Sequence, residues 1–356
     1  MKLASLFCTL ALIPLVVGCA ASPTAIVSPK APTQLERTQA ETILPTQHLE
    51  PTQAISIPTA SAQATIQMAK TAMPPTPDTS QPTTRCCVRS GTNVAISALD
   101  PQDWKNFPVI PIIGQAPRQI YQHGLELGNN PHAFSKVGDC GSTPAWFLGN
   151  FDRGAKFYDL GAYQDMQGVI QQFNGSFDRT SLAGRAGFNA SSVFAAIWSD
   201  RSQCHANETP LACEYRVNLP SMAFIMLGSN DVWHPDSFEP QMRKIIEYSI
   251  QNGVIPILST KADNDEGNNS INATIARLAV EYDIPLWNFW RAVQDLPDKG
   301  LQEDGVHLTW GPNRFNDPAV MKRAWPVRNL TALQTLDGVW RAVTGVAPSV
   351  TMTPAP

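Results

Sequence analysis

Short apolar runs alternate with stretches of helical periodicity through the last three quarters of the chain. His132 to Val137 runs into Gly138 and predicts a strand ending at a turn. Ser221 to Leu227, SMAFIML, is almost continuously apolar, as a fully buried parallel strand would be. Phe238 to Asn252 carries Met242, Ile245, Ile246 and Ile250 at helical spacing, with Ser237 as a cap before it and Gly253 as a stop after it. Val254 to Leu258 predicts another strand. Ile271 to Tyr282 aligns Ile271, Ile275, Leu278, Ala279 and Tyr282 on one helical face. Ile284 to Trp290 is a further strand candidate, and Leu330 to Val343 a final helix with Leu330, Leu333, Leu336 and Trp340 inward. Strand–helix alternation with short links predicts an α/β domain, a three-layer α/β/α sandwich around a central parallel sheet. Ligands of such sheets sit beyond the carboxyl ends of the strands, so the residues just after each apolar run carry the chemical interest.

The N-terminal quarter has a different character. Residues 20–85 hold ten prolines and thirteen threonines and no Phe, Trp or Tyr. Such a stretch buries too little apolar surface to offset its ordering entropy and reads as a disordered tether, with its threonines open to glycosylation. Ahead of it, Met1-Lys2 and the apolar run Leu3 to Val17 are too short to span a bilayer and fit a secretory signal. The run ends in Val16-Val17-Gly18-Cys19, which resembles the lipobox of bacterial lipoproteins; that resemblance implies acylation at Cys19, against an ordinary signal peptide cut nearby. Two or more acyl chains, at about 0.8 kcal/mol per buried methylene, anchor a protein stably. The predicted organisation is therefore a signal peptide over 1–18, a Pro/Thr-rich tether over 19–85, one folded domain over 86–345 and a loose tail over 346–356. The expected location is the cell envelope, lipid-anchored and facing out of the cytoplasm. Among 356 residues only 16% are charged and the net charge is -4, which argues against a nucleic-acid partner. A mean hydropathy of -0.15 excludes a polytopic membrane protein.

Three strand ends and a turn stand out: Gly138-Asp139-Cys140-Gly141-Ser142, Ala186-Gly187-Phe188-Asn189, Gly228-Ser229-Asn230-Asp231 and, before the last helix, Asp304-Gly305-Val306-His307. In this order, across residues 132–310, they resemble the blocks of the SGNH, or GDSL-like, hydrolases. The resemblance implies the flavodoxin-like fold of that family and a hydrolase acting on ester bonds. It places the nucleophile at Cys140, the base at His307 and the carboxylate that orients it at Asp304. It assigns the oxyanion hole to Cys140, Gly187 and the Asn230 side chain.

One departure matters: the family has serine where this chain has Cys140. The chemistry survives the exchange, because a thiol is more acidic and more nucleophilic than a hydroxyl and a nearby imidazole can hold it as thiolate. Sulfur is also larger than oxygen, so an oxyanion hole set for serine fits it less well, and an exported thiol is open to oxidation. Asp139 is expected to brace the turn. Ser142 is a substitute nucleophile off the family's position. The competing reading of Cys140 is an inert or disulfide-bonded thiol in a domain that has lost catalysis.

Seven cysteines bear on that choice. With Cys8 removed and Cys19 lipidated, Cys86, Cys87, Cys140, Cys204 and Cys213 remain. Exported proteins favour disulfides, and Cys204 with Cys213, nine positions apart, form the natural pair. Cys86 and Cys87 either bridge each other or leave one to reach Cys140. The acidic run Lys261 to Gly267 reads as a solvated loop on the site's rim, or, with its carboxylates, as a calcium site. Trp233 and His234 either line a pocket or pack a loop. His123 and His132 read as structural, and His205 as a neighbour of the disulfide, with zinc the alternative. Asn-x-Ser/Thr triplets such as Asn174-Gly175-Ser176 are coincidental beside a bacterial lipobox. Trp287, Trp290, Trp310, Trp325 and Trp340 are core residues by default, or a sugar-binding face.

The expected function is an envelope-tethered hydrolase cleaving an ester or thioester, an acylated glycan among the candidates, through Cys140, His307 and Asp304. The alternative is a non-catalytic module on the same scaffold that binds glycan or peptide. The chemistry needs only side chains and backbone donors, so no cofactor and no metal are implied.

Overall fold

The computed structural model describes residues 95–347. The signal peptide over 1–18, Cys19, the tether over 19–85, Cys86, Cys87 and all but the first two residues of the tail lie outside that range. The elements, in chain order, are α1 (Ala116–Glu126), β1 (Asn130–Gly138), β2 (Tyr158–Asp159), α2 (Gln167–Gln172), α3 (Pro210–Asn218), β3 (Pro220–Met226), α4 (Pro235–Gln251), β4 (Ile255–Ser259), α5 (Ser270–Glu281), β5 (Leu286–Trp287), α6 (Phe289–Val293), β6 (Asn313–Arg314) and α7 (Ala324–Thr344). Short 3-10 turns fill several of the connections.

The main sheet is parallel throughout, in the order β1-β3-β4-β5. Its register runs Ser135 to Ala223, Ala223 to Pro256 and Leu258 to Leu286. Each successive strand is added on the same side, so right-handed crossovers place α3, α4 and α5 on one face. There α3 packs on β1, and α4 and α5 pack on β4 and on each other. Helix α1 packs on β3 and β4 from the other face, where α7 joins it with α2 and α6. This is the three-layer α/β/α architecture expected from the sequence.

Burial follows the apolar pattern. All seven residues of β3 and all five of β4 are buried, because both strands are covered on two faces. Phe147, Phe224 and Trp287 meet at ring-centroid distances of 5.5, 5.7 and 5.9 Å. Each such ring contributes on the order of 1.5–3 kcal/mol by leaving water. From α7, Leu330, Leu333 and Leu336 face this core as predicted.

The differences are local. Helix α4 starts at Pro235 with His234 at its cap, not at Ser237, whose hydroxyl donates to the His234 carbonyl at 2.9 Å. Proline at the first helical position lacks only an N–H that would be unpaired anyway, so it sets the start. The strand expected over Ile284 to Trp290 is reduced to Leu286–Trp287, because Asn288 caps α6 by accepting from Arg291 N. Strands β2 and β6, two residues each, form a separate parallel pair that no periodicity announces.

Candidate active site

The carboxyl ends of β1 and β3 supply the first half of the site. Gly138 ends β1 where a side chain has no room: a Cβ there would lie 2.5 Å from the Met226 carbonyl oxygen. The chain then turns through Cys140–Ser142. Asp139 accepts the Gly141 N–H at 2.8 Å, so this carboxylate braces the turn as expected. Ser142 is buried and spends its hydroxyl on the Asp139 carbonyl at 2.6 Å. It is thereby removed as a substitute nucleophile.

Gly228 leaves β3 at a φ of +133°, a conformation closed to other residues, and feeds the turn Ser229–Asp231. Asn230 donates to the Phe188 carbonyl at 2.9 Å, and Asp231 accepts from Ala190 N at 2.9 Å. These two bonds tie the turn after β3 to the Gly187–Asn189 segment. Gly187 itself is exposed and sits at a φ of +82°. The same segment is held from behind, where Gly138 N donates to Ala183 O at 3.2 Å and Arg185 N to Gly138 O at 3.0 Å.

The base comes from a short self-braced loop. Leu301 bridges Leu308, Gln302 N donates to His307 O at 2.8 Å, and Gln302 Nε2 to Leu308 O at 2.8 Å. Within it Asp304 Oδ1 accepts from Val306 N and His307 N at 3.0 and 2.9 Å. Asp304 Oδ2 lies 2.6 Å from His307 Nδ1. The two backbone donors, and then the imidazole, hold the Asp304 carboxyl down to about 2. A carboxylate so placed selects the tautomer with the proton on Nδ1 and leaves Nε2 as acceptor.

Cys140, Asn230 and His307 line one cavity of about 410 Å³. Asp304 stands behind His307, and Gly187 lies outside the lining, next to Phe188, whose carbonyl accepts from Asn230. Among the described residues no hydrogen bond joins Cys140 to His307. Cys140 is a free thiol, and Cys204 and Cys213 form the expected disulfide. Partial burial, and then the Asp139 carboxylate, push the Cys140 thiol up, against the Gly141 N–H and Arg328. Burial thus works against the thiolate that a nearby imidazole could hold.

Of two charged groups on the cavity wall, one escaped the sequence reading and the other was read as part of a solvated loop. Arg328, from α7, stands with its guanidinium carbon 5.2–5.8 Å from the ring centres of Phe147, Trp287, Phe289 and Trp325. Burial lowers it to about 10, and it forms no ion pair within 4.0 Å among the described residues. Lys261 is buried and paired with both Asp263 and Glu266, and Asp263 also accepts from Ser229 Oγ at 2.7 Å. The run from Lys261 to Gly267 is thus partly an internal ion cluster; only Asn264, Asp265 and Gly267 in it are exposed. Two of its three carboxylates, Asp263 and Glu266, are committed to a lysine, not arranged for calcium. The solvated loop expected there holds for the tip alone.

Most of the remaining candidates fall away from the cavity. Trp233 is 77% exposed, and neither it nor His234 lines the cavity. His123 and His132 each contact a backbone carbonyl, of Gln251 and Gln172. Trp287 is core, whereas Trp310 and Trp325 line the cavity with Trp146.

No family model and no curated protein matches the chain. Solved structures are similar to the chain at low identity and low TM-score. A GDSL-like lipase from Bacteroides thetaiotaomicron is 16% identical at a TM-score of 0.36, over 62% of this chain and 98% of that one. An acetylxylan esterase from Geobacillus stearothermophilus is 16% identical at a TM-score of 0.39, over 60% of this chain and 97% of that one.

Proposed function

We propose that the chain is a hydrolase of esters or thioesters working through Cys140, His307 and Asp304. The observation that carries this reading is the Asp304–His307 contact of 2.6 Å on a loop whose imidazole shares a cavity with the free thiol. In the acylation step Cys140 Sγ attacks the carbonyl carbon while its proton passes to His307 Nε2. The oxyanion takes hydrogen bonds from the backbone N–H of Cys140 and of Gly187 and from the Asn230 amide, each such donor contributing about 2.7–4 kcal/mol in related chemistry. Collapse expels the alcohol or thiol, which leaves with the proton from His307. Water then attacks the thioester, gives its proton to His307, and releases the carboxylic acid with the thiol restored. Where the thiol still holds its proton, proton removal and attack occur together, as with a serine nucleophile.

The N-terminal lipobox-like sequence supports an envelope-anchored enzyme held away from the membrane by residues 19–85. The raised thiol, together with the lack of a hydrogen bond between Cys140 and His307 among the described residues, favours a second reading: a binding module that has lost turnover. Hydrolysis of p-nitrophenyl acetate separates them. The enzyme reading expects turnover that Cys140→Ala and His307→Ala both abolish. Background turnover on a broad ester panel, unchanged in both variants, leaves the binding module.

A further inference from the structure

A second cavity, of about 480 Å³, lies beside the first and shares Trp146, Trp310 and Trp325 with it. Trp146 and Trp325 stack at 5.6 Å with planes 23° apart, so one aromatic wall serves both cavities. Trp310 is 64% exposed and Trp146 47%, and Phe157, on the far side of the second cavity, is 42% exposed. Large rings left in water around a cavity mark a surface that awaits a partner.

The polar lining is also incomplete. Asn313, at the start of β6, is 2% exposed and lines the second cavity, yet its amide nitrogen has no hydrogen-bond partner. Its oxygen is used, accepting from Asn329 Nδ2 at 3.0 Å. A buried donor left without a partner is destabilising, and a ligand acceptor would relieve it. Lys156 and Arg314, both exposed on the rim, form no ion pair among the described residues. Asp159 adds an acceptor.

We infer that this second cavity is an oligosaccharide subsite holding the sugar units next to the acylated one. Pyranose rings present apolar C–H faces that lie on aromatic rings and hydroxyls that pair with amides, carboxylates and cations at the edge. Exposed rings combined with the unpaired Asn313 amide and the exposed Lys156, which sits over Phe157, and Arg314 match that chemistry, whereas an acyl tail would leave the buried Asn313 donor unpaired. The inference rests on the hydrolase reading for the identity of the adjoining subsite. Its test reads binding alone, in a protein that cannot turn over.

In the full chain carrying Cys140→Ala, tryptophan fluorescence is titrated with xylohexaose, chitohexaose and hexagalacturonate, and with the three matching monosaccharides. At least one hexasaccharide is expected to saturate, at least tenfold more tightly than its monosaccharide. Adding Phe157→Ala with Arg314→Ala, two exposed positions, is expected to weaken it about tenfold or more with the melting temperature unchanged. No saturation by any hexasaccharide, or equal affinity in the double variant, overturns the subsite. Loss of p-nitrophenyl acetate turnover in the wild type, with hexasaccharide binding intact, refutes the hydrolase and keeps the subsite.

Discussion

Glu214, on α3, is fully buried and accepts three hydrogen bonds: from Arg179 Nη1 at 2.7 Å, Ser135 Oγ at 2.6 Å and Leu182 N at 2.8 Å. It clamps the segment that continues through Ala183 and Arg185, beside Gly138, to the Gly187 turn. Glu214→Leu keeps an apolar volume there and leaves Arg179, Ser135 and Leu182 N without their acceptor. Breaking one side of a buried pair costs about 3–5 kcal/mol. Arg179 keeps a bond to the Phe134 carbonyl at 2.8 Å, and its side chain is 21% exposed, so part of its charge stays solvated. That places the loss at about 3–4 kcal/mol. For a domain of this size it lowers the melting temperature by roughly 6–16 °C. Glu214→Gln retains an acceptor and the shape, and should lose about half as much. Calorimetry and urea titration of the three proteins read both numbers. A Glu214→Leu domain within about 1 kcal/mol of wild type, or one indistinguishable from Glu214→Gln, would refute the clamp.

Asp304→Asn puts an amide against His307 Nδ1 and favours the wrong tautomer; kcat for p-nitrophenyl acetate should fall about 10⁴-fold with KM little changed, as steady-state kinetics would show. Burial pushes Asp231 up from 3.8 to about 6, so the folded state binds its proton more tightly than the unfolded state does. Its contribution therefore favours folding increasingly as pH falls from about 7 towards 4, and Asp231→Asn should remove that component from melting temperatures followed over the same range. Arg328 lowers the Cys140 thiol against burial, so Arg328→Met should move the pH profile of Cys140 alkylation upward while Arg328→Lys holds it closer to wild type. Superimposable profiles for all three would remove Arg328 from the electrostatics of the site.

Long-range order was legible where a strand is buried on both faces. SMAFIML can only be a central strand, and the residues after it are then forced to the sheet's carboxyl edge, which is where Asn230 stands. The Asp304–His307 pair was legible through the family resemblance, and its three-residue spacing lets one loop close on itself. Lys261, Asp263 and Glu266 were misread because a run of charges looks the same whether solvent or a partner neutralises it. Only the turn after β4, which folds Asp263 and Glu266 back onto Lys261, decides between them. Arg328 was invisible for a related reason. It occupies α7 two residues before Leu330, the first apolar position used to define the helix, while three of the four rings around it lie far away in sequence, at Phe147, Trp287 and Phe289. Strands of two residues, such as β2 and β6, carry no periodicity, so of the second cavity they help to line only the tryptophans Trp310 and Trp325 were visible in the sequence.

The central claim is that Cys140 takes up an acyl group with His307 as its base. Rapid mixing with p-nitrophenyl acetate, an acid quench and peptide mass mapping test it most directly. The account predicts one acetyl group on the Cys140 sulfur, appearing with a burst of nitrophenolate and missing from His307→Ala. Turnover without acetylation of Cys140, or the same adduct formed at the same rate without His307, would contradict it.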